Sequence, residues 1–213
     1  MKHLFVPLIK DPHALRFTKH PVFHLAGLRG IIADHSEAEE SMLARYAAGR
    51  KTLVEIGVAE GASALALRKA ADPAGVLYLI DPYPTGRVPG LSLKKICAHR
   101  HVGRCGNASV RWIQDYSYNA SRNWEGPIDF LFIDGDHSYE ACMRDWTEWG
   151  RFVAEGGVVA FHDARVFPNG WTAGDWGSVR VVNELFRSGP SAGWQIVEEV
   201  DSLVIVRQVR SPR

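Results

Sequence analysis

From Thr52 onward the chain alternates short apolar runs with amphipathic segments, a pattern that admits few folds other than a parallel α/β sheet. The runs T-L-V-E-I (52–56), V-L-Y-L-I (76–80), V-R-W-I (110–113), D-F-L-F-I (129–133) and V-V-A-F (158–161) read as strands. Most are continuously apolar, as strands covered on both faces by helices must be. Helices are expected between them: Ala62 to Ala71, Leu91 to about His101, Tyr139 to Val153, and Ser178 to Arg187. In the third of these, Cys142, Trp146, Trp149 and Phe152 recur at helical spacing and form an apolar stripe suited to the core. The C-terminal runs W-Q-I-V-E-E-V and S-L-V-I-V-R-Q-V alternate around Asp201-Ser202 and read as an antiparallel hairpin closing one sheet edge. Five parallel strands plus a hairpin predict a mostly parallel seven-stranded sheet of Rossmann-like type, with helices on both faces.

With 213 residues the chain suits a single domain, 1–213, whose first 35 or so residues form an arm or lid. That opening segment holds Pro7, Pro12 and Pro21 and five histidines (His3, His13, His20, His24 and His35) without metal-like spacing. Ser36 followed by Glu39 reads as a capping box opening a helix from Glu37 to Ala48. A formal net charge of +1 gives no reason to expect nucleic acid or an anionic membrane as partner. Three cysteines (Cys97, Cys105 and Cys142) match no disulfide framework, so a reducing cytoplasm is the expected compartment. No apolar run is long enough to span a bilayer.

The segment L-V-E-I-G-V-A-E-G-A-S-A passes from a strand directly into a helix. Gly57 permits a sharp turn beside a ligand and Gly61 a close approach at the helix entry, and the helix N-terminus suits a carboxylate. Asp81 follows at the end of the next strand, where an acidic side chain can bind ribose hydroxyls. The G-x-G-x-x-G of a pyrophosphate site and a P-loop G-K-[ST] are both missing. Glu55 instead lies inside the strand-end motif. A carboxylate there repels phosphates and favours a cationic amino-acid group, which argues for an adenosine carrying an amino acid over NAD or ATP.

V-E-I-G-V-A-E-G-A-S followed by L-I-D-P-Y resembles motifs I and II of the class I S-adenosylmethionine-dependent methyltransferases. F-L-F-I-D-G-D-H-S-Y-E through G-G-V-V-A-F-H-D resembles small-molecule and sugar O-methyltransferases, including cephalosporin-hydroxylase-like and macrocin-type enzymes. The resemblance covers about Ser36 to Leu185. It implies that Glu55, Gly57, Gly61 and Ser63 contact the methionine part of S-adenosylmethionine, Asp81 the ribose, and Asp115 with Ser117 the adenine edge, with Asp134 bordering the donor.

Two adjacent strand ends carry Asp134, Asp136 and His137, and then His162 and Asp163. So many carboxylates together call for a counter-charge, and Mg²⁺ or another divalent ion suits oxygen-rich ligands. By the resemblance Asp134 and Asp163 are metal ligands, His162 joins them in place of the usual acidic partner, and His137 is the general base. The plainer alternatives are that Asp134 and Asp136 cap the next helix and that His137 is a structural histidine. Asp136, Tyr139, Trp171 and Trp176 are candidates for contact with the acceptor; the two indoles serve either as a platform for a sugar ring or as loop anchors. The segment R-F-T-K-H-P-V-F-H-L covers the same crevice or mediates a homodimer.

These readings converge on O-methylation of a hydroxyl on a sugar, glycan or small natural product, assisted by a divalent ion. A metal-independent or catechol-like phenol O-methyltransferase is the nearest alternative. A nicotinamide-dependent oxidoreductase and a catalytically silent binding module are alternatives of other classes; Glu55 disfavours the first, and the second leaves the carboxylate–histidine cluster unexplained.

Overall fold

The first strand, β1 (Thr52–Ile56), sits at the centre of the sheet, because its β-branched and leucine side chains are apolar on both faces. The computed structural model describes residues 21–85, 89–188 and 193–209; His3, His13, His20, Pro7, Pro12 and most of the expected arm lie outside them. β2 (Val76–Ile80), β3 (Ser109–Ile113), β4 (Ile128–Ile133) and β5 (Val153–Phe161) run parallel to β1, while β7 (Leu203–Gln208) is antiparallel to both β5 and β6 (Trp194–Val200). The order across the sheet is β3-β2-β1-β4-β5-β7-β6. The expected hairpin is therefore present, with its second strand inserted against β5 and its first strand left at the edge.

The described α-helices are α1 (Pro21–Leu25), α2 (Glu37–Ala47), α3 (Ala62–Ala70), α4 (Leu93–Val102), α5 (Ser117–Ala120), α6 (Tyr139–Trp149) and α7 (Gly177–Val182). Strand periodicity decides which side chains meet which helices. Leu53, Leu77, Leu79, Phe130, Phe132 and Val158 point to one face and pack with α2, α3 and α4. Val54, Leu131, Ile133, Val159 and Phe161 point to the other, against α6 and α7. The expected stripe on α6 is core: Cys142 and Trp149 are buried, with Trp146 and Phe152 packed beside them.

Boundaries differ most from the sequence pattern in three places. The helix expected from Tyr139 to Val153 ends at Trp149 and passes through a 3₁₀ turn over Gly150–Phe152. β5 starts at Val153 rather than Val158, running through an exposed Glu155-Gly156 stretch whose lack of apolar residues hides it, with a register irregularity opposite Ile128/Phe130. The last expected helix ends as α-helix at Val182 and continues as a π-helical turn over Asn183–Arg187. The Ser36 capping box is formed as expected: Ser36 accepts from the Glu39 amide and Glu39 from the Ser36 amide.

Candidate active site

The carboxyl ends of β1, β2, β4 and β5 open onto a cleft of about 1210 Å³, ample for an adenosine-sized ligand. Gly57 ends β1 with φ +84°, a backbone state that L side chains rarely adopt. An added Cβ there would sit 2.1 Å from the carbonyl oxygen of Asp134, so glycine also lets the β1 and β4 loops touch. Gly61 has φ +87° at the head of α3, and no side chain caps that helix, leaving its terminal amides for a ligand. Asp81 Oδ2 accepts from the amides of Val58 and Ala59, at 3.0 and 3.1 Å, and Oδ1 from Tyr83 at 2.7 Å. The acid of motif II thus holds the glycine loop in shape from the cleft wall.

Glu55 lies beneath the cleft rather than in its lining, fully buried, with Ser63 donating to it at 2.5 Å. Burial, which only the Ser63 hydrogen bond opposes, pushes its carboxyl well above the usual range. Its carboxyl faces Ser63 inside the sheet–helix layer and is not presented to a ligand in the cleft. The reason is positional: one residue before the strand end, a side chain on this face points into the layer between sheet and helices. Ser63 and Gly61 are likewise behind the lining, and Asp115 is exposed, accepting from Tyr116 N and Asn119.

The densest chemistry lies where β4 and β5 end. His137 Nδ1 is 2.9 Å from Asp163 Oδ2, and its Nε2 is 3.4 Å from Asp134 Oδ1. Burial disfavours charge on His137, yet hydrogen bonding to Asp134 and Asp163 outweighs it and raises its pKa to about 9. His162, almost fully buried, has Nδ1 2.9 Å from Asp134 Oδ1 and Nε2 3.5 Å from Glu39 Oε2. Its burial is likewise outweighed, chiefly by the Asp134 charge, and its pKa rises to about 11. Burial acts to raise the carboxyls of Asp134 and Asp163, but the two imidazoles hold both below the ordinary range.

Asp163 is held by its surroundings. Its φ is +51°, its amide donates to Ser202 Oγ, its carbonyl accepts from Ser178 Oγ, and its Oδ1 accepts from Trp171 Nε1 at 2.5 Å. Among the described residues, donor atoms of Asp134, His137 and His162 lie within 4.8 Å of one another, a spacing that can hold an ion; Asp163 falls outside this group, its two oxygens taken by Trp171 and His137. Neither nitrogen of His162 has an aligned hydrogen-bond partner despite its burial.

The other expected acceptor residues separate. Asp136 is in the lining but accepts from Ser138 N at 2.8 Å, a local turn at the head of α6. The Tyr139 hydroxyl donates to Glu184 and its ring lies under Arg180, away from the cleft. The Trp176 ring is 6.3 Å from that of His137, and Trp171 is 47% exposed. Ser117 lines the cleft and donates to Asp145, which also lines it. Burial, countered in part by Ser117, raises Asp145 to about 6.

Four participants escaped the sequence reading. Asp145 falls on the buried stripe of α6, three residues after Cys142 and four before Trp149, so its spacing could have revealed it. Tyr83 is 3% exposed, lines the cleft at φ +43°, and buries a hydroxyl with no hydrogen-bond partner. Arg29 and Glu60 form a double contact at 2.8 and 2.6 Å, tying the segment after α1 to the glycine loop; Pro21 and Asp34, which flank that segment, line the cleft. No local pattern signals a pair 31 residues apart.

A seven-stranded sheet in this order, with a ligand cleft at the carboxyl ends of its central strands, defines the class I methyltransferase fold. Solved structures share it. A cofactor-bound protein from MTB is 20% identical with a TM-score of 0.65, covering 95% of this chain and 93% of that one. The O-methyltransferase TomG from Streptomyces achromogenes, involved in tomaymycin synthesis and solved with SAM, is 19% identical with a TM-score of 0.63, covering 96% and 93%. An rRNA methylase from Streptococcus thermophilus is 11% identical with a TM-score of 0.59, covering 85% and 100%. At these identities the likeness is one of fold. Residues 54–164, more than half of the chain, match the profile of a methyltransferase-domain family, and the chain belongs to that family. An uncharacterised protein of Acanthamoeba polyphaga mimivirus is 32% identical over 118 residues; the match covers 53% of this chain and 51% of that protein.

Among the described residues no helix is long and apolar enough to cross a membrane.

Proposed function

We propose that the chain transfers a methyl group from S-adenosylmethionine to a hydroxyl of a sugar, glycan or small natural product, with His137 accepting the proton. The observation that carries this reading is His137 itself, in the cleft wall, with Asp163 at Nδ1 and Asp134 at Nε2. Asp163 keeps a proton on Nδ1, so Nε2 is the atom that takes up the acceptor's proton, and with the pKa raised to about 9 turnover rises with pH as Nε2 is freed. S-adenosylmethionine, when bound, supplies an electrophilic methyl on sulfonium sulfur, open to in-line attack by the acceptor oxygen.

The residues present fit that donor. Gly57 and Ala59 bring the glycine-loop backbone into the cleft lining, with the uncapped head of α3 directly behind it, suited to the methionine carboxylate. Asp81, with three backbone donors, keeps acceptor capacity for ribose hydroxyls. Ser117, Asp145 and Tyr83 line the cleft and would offer polar groups to the purine.

The donor set at β4 and β5 also fits a divalent ion. Asp134 and His162 would hold it, and the lack of an aligned hydrogen bond at either nitrogen of buried His162 supports that role. An imidazole-containing set suits Mn²⁺, Fe²⁺ or Zn²⁺ better than Mg²⁺. When bound, such an ion supplies Lewis acidity that lowers the pKa of the acceptor hydroxyl. Trp171 and Trp176 border this corner, and aromatic faces suit the C–H face of a carbohydrate. The neutral charge balance, without a basic stripe, favours such an acceptor over nucleic acid.

The test is methyl transfer from radiolabelled S-adenosylmethionine to a panel of sugars, oligosaccharides and phenols, with and without EDTA, in wild type and His137→Ala. Chelator-sensitive turnover of a hydroxyl acceptor, lost in the variant, is expected. Turnover that survives chelation supports the metal-independent reading, and equal turnover in the variant removes His137 from the chemistry.

A further inference from the structure

We infer that Glu39 is a positioning residue for His162, holding the Nε2 side of the ring so that Nδ1 is the nitrogen offered to a divalent ion. The inference rests on the ion reading given above and concerns a residue that a capping box alone would leave at the surface.

Glu39 is 0% exposed, and a buried carboxylate is tolerated only with partners. Its Oε1 accepts from both the amide and the hydroxyl of Ser202, at 2.8 and 2.7 Å. Its Oε2 accepts from the Ser36 amide at 2.8 Å and faces His162 Nε2 at 3.5 Å. The carboxylate is thus pinned by the head of α2 and by the turn between β6 and β7, 163 residues away, before it meets the imidazole. A cap needs only the Ser36 contact; the other three partners are not explained by capping.

The opposite edge of the ring faces the cleft. Nδ1 is 2.9 Å from Asp134 Oδ1, and the donor atoms of Asp134, His137 and His162 gather within 4.8 Å. Neither ring nitrogen is committed to an aligned hydrogen bond, so the ring is oriented by these two carboxylates and by packing. An imidazole that binds an ion keeps one N–H, and a carboxylate at the far nitrogen decides which. With an ion on the Nδ1 side the one remaining proton would lie on Nε2, and Glu39 is the carboxylate that faces it there. Glu39 does not line the cleft; it reaches the site through His162 directly and through Ser202, whose hydroxyl holds the Asp163 amide.

The test is Mn²⁺ binding to the full chain, followed by electron paramagnetic resonance of the free ion. Wild type, Glu39→Gln and Ser36→Ala are compared, with S-adenosylhomocysteine affinity as a control. Glu39→Gln is expected to weaken Mn²⁺ binding by about 10–100-fold, with S-adenosylhomocysteine affinity unchanged. Ser36→Ala removes the cap hydroxyl, lowers Tm, and leaves Mn²⁺ binding as in wild type. Equal Mn²⁺ affinity in wild type and Glu39→Gln overturns the inference and leaves the ion reading standing, as does a matching loss in Ser36→Ala. A wild-type chain that binds no Mn²⁺ overturns both. If Glu39→Gln does not fold, long-range ¹H–¹⁵N spectra of the Zn²⁺-loaded wild type decide the matter: an Nε2–H on His162 is expected, and an Nδ1–H overturns the inference.

Discussion

Asp163 Oδ2 lies 2.9 Å from Nδ1 of His137, and the backbone that carries it is held at φ +51° by Ser202 and Ser178. A strained aspartate fixed from three sides has little freedom to turn away from the imidazole it orients. His137 therefore meets the cleft with a defined ring orientation and a pKa raised to about 9.

Asp163→Asn keeps the shape and removes the charge. The pKa of His137 is expected to fall from about 9 toward the ordinary histidine value, moving the acidic limb of the pH–rate profile down. His137→Ala is expected to lower kcat by about 10²–10⁴-fold while leaving S-adenosylhomocysteine affinity unchanged. An unshifted profile in Asp163→Asn speaks against the dyad.

Gly57→Ala tests the contact between the β1 and β4 loops. A methyl group would meet the Asp134 carbonyl oxygen at 2.1 Å in a backbone conformation already unfavourable for alanine. A loss of at least about 2 kcal/mol in stability is expected, together with loss of S-adenosylhomocysteine binding by calorimetry. A variant with wild-type Tm and affinity would refute the packing account.

Asp145 predicts a pH dependence of stability. Its folded pKa of about 6 exceeds the ordinary 3.8, so between these values the folded chain binds more protons than the unfolded one. Stability from this group is present in full below about pH 4 and is lost as pH rises through 6. Asp145→Asn lacks the group and can still accept from Ser117. Its stability relative to wild type should therefore improve by roughly 2–3 kcal/mol between pH 4 and 7 in urea titrations; a pH-independent difference counts against the shift.

Arg29→Ala leaves Glu60 buried without its guanidinium partner. Breaking a buried pair from one side costs about 3–5 kcal/mol, and here the loss should fall on the segment that Glu60 anchors. Faster hydrogen exchange and proteolysis over residues 21–35, with a smaller change in the sheet, is the expected result. Uniform destabilisation would place the pair in the global core instead.

Strands β1 and β2, the covered sheet, Gly57, Asp81 and the D-G-D-H turn were all legible in the sequence, because each depends on periodicity or on a glycine the backbone requires. The sequence also singled out Glu55, but its charge state was not local information. A carboxyl one residue inside a strand is neutral or ionised according to the helix laid over it, and α3 buries Glu55 completely.

By itself the sequence determined the order of strands and helices and the strand ends at which chemistry collects, since these follow from contacts within a few residues. Only the tertiary structure decided that Glu39 reaches Ser202 and His162, that Arg29 seizes Glu60, and that Trp171 claims Asp163 while His137 and His162 share Asp134. Each partner comes from a different element. Which charges are buried together depends on how those elements pack, and burial sets the strength of every electrostatic contact in the site.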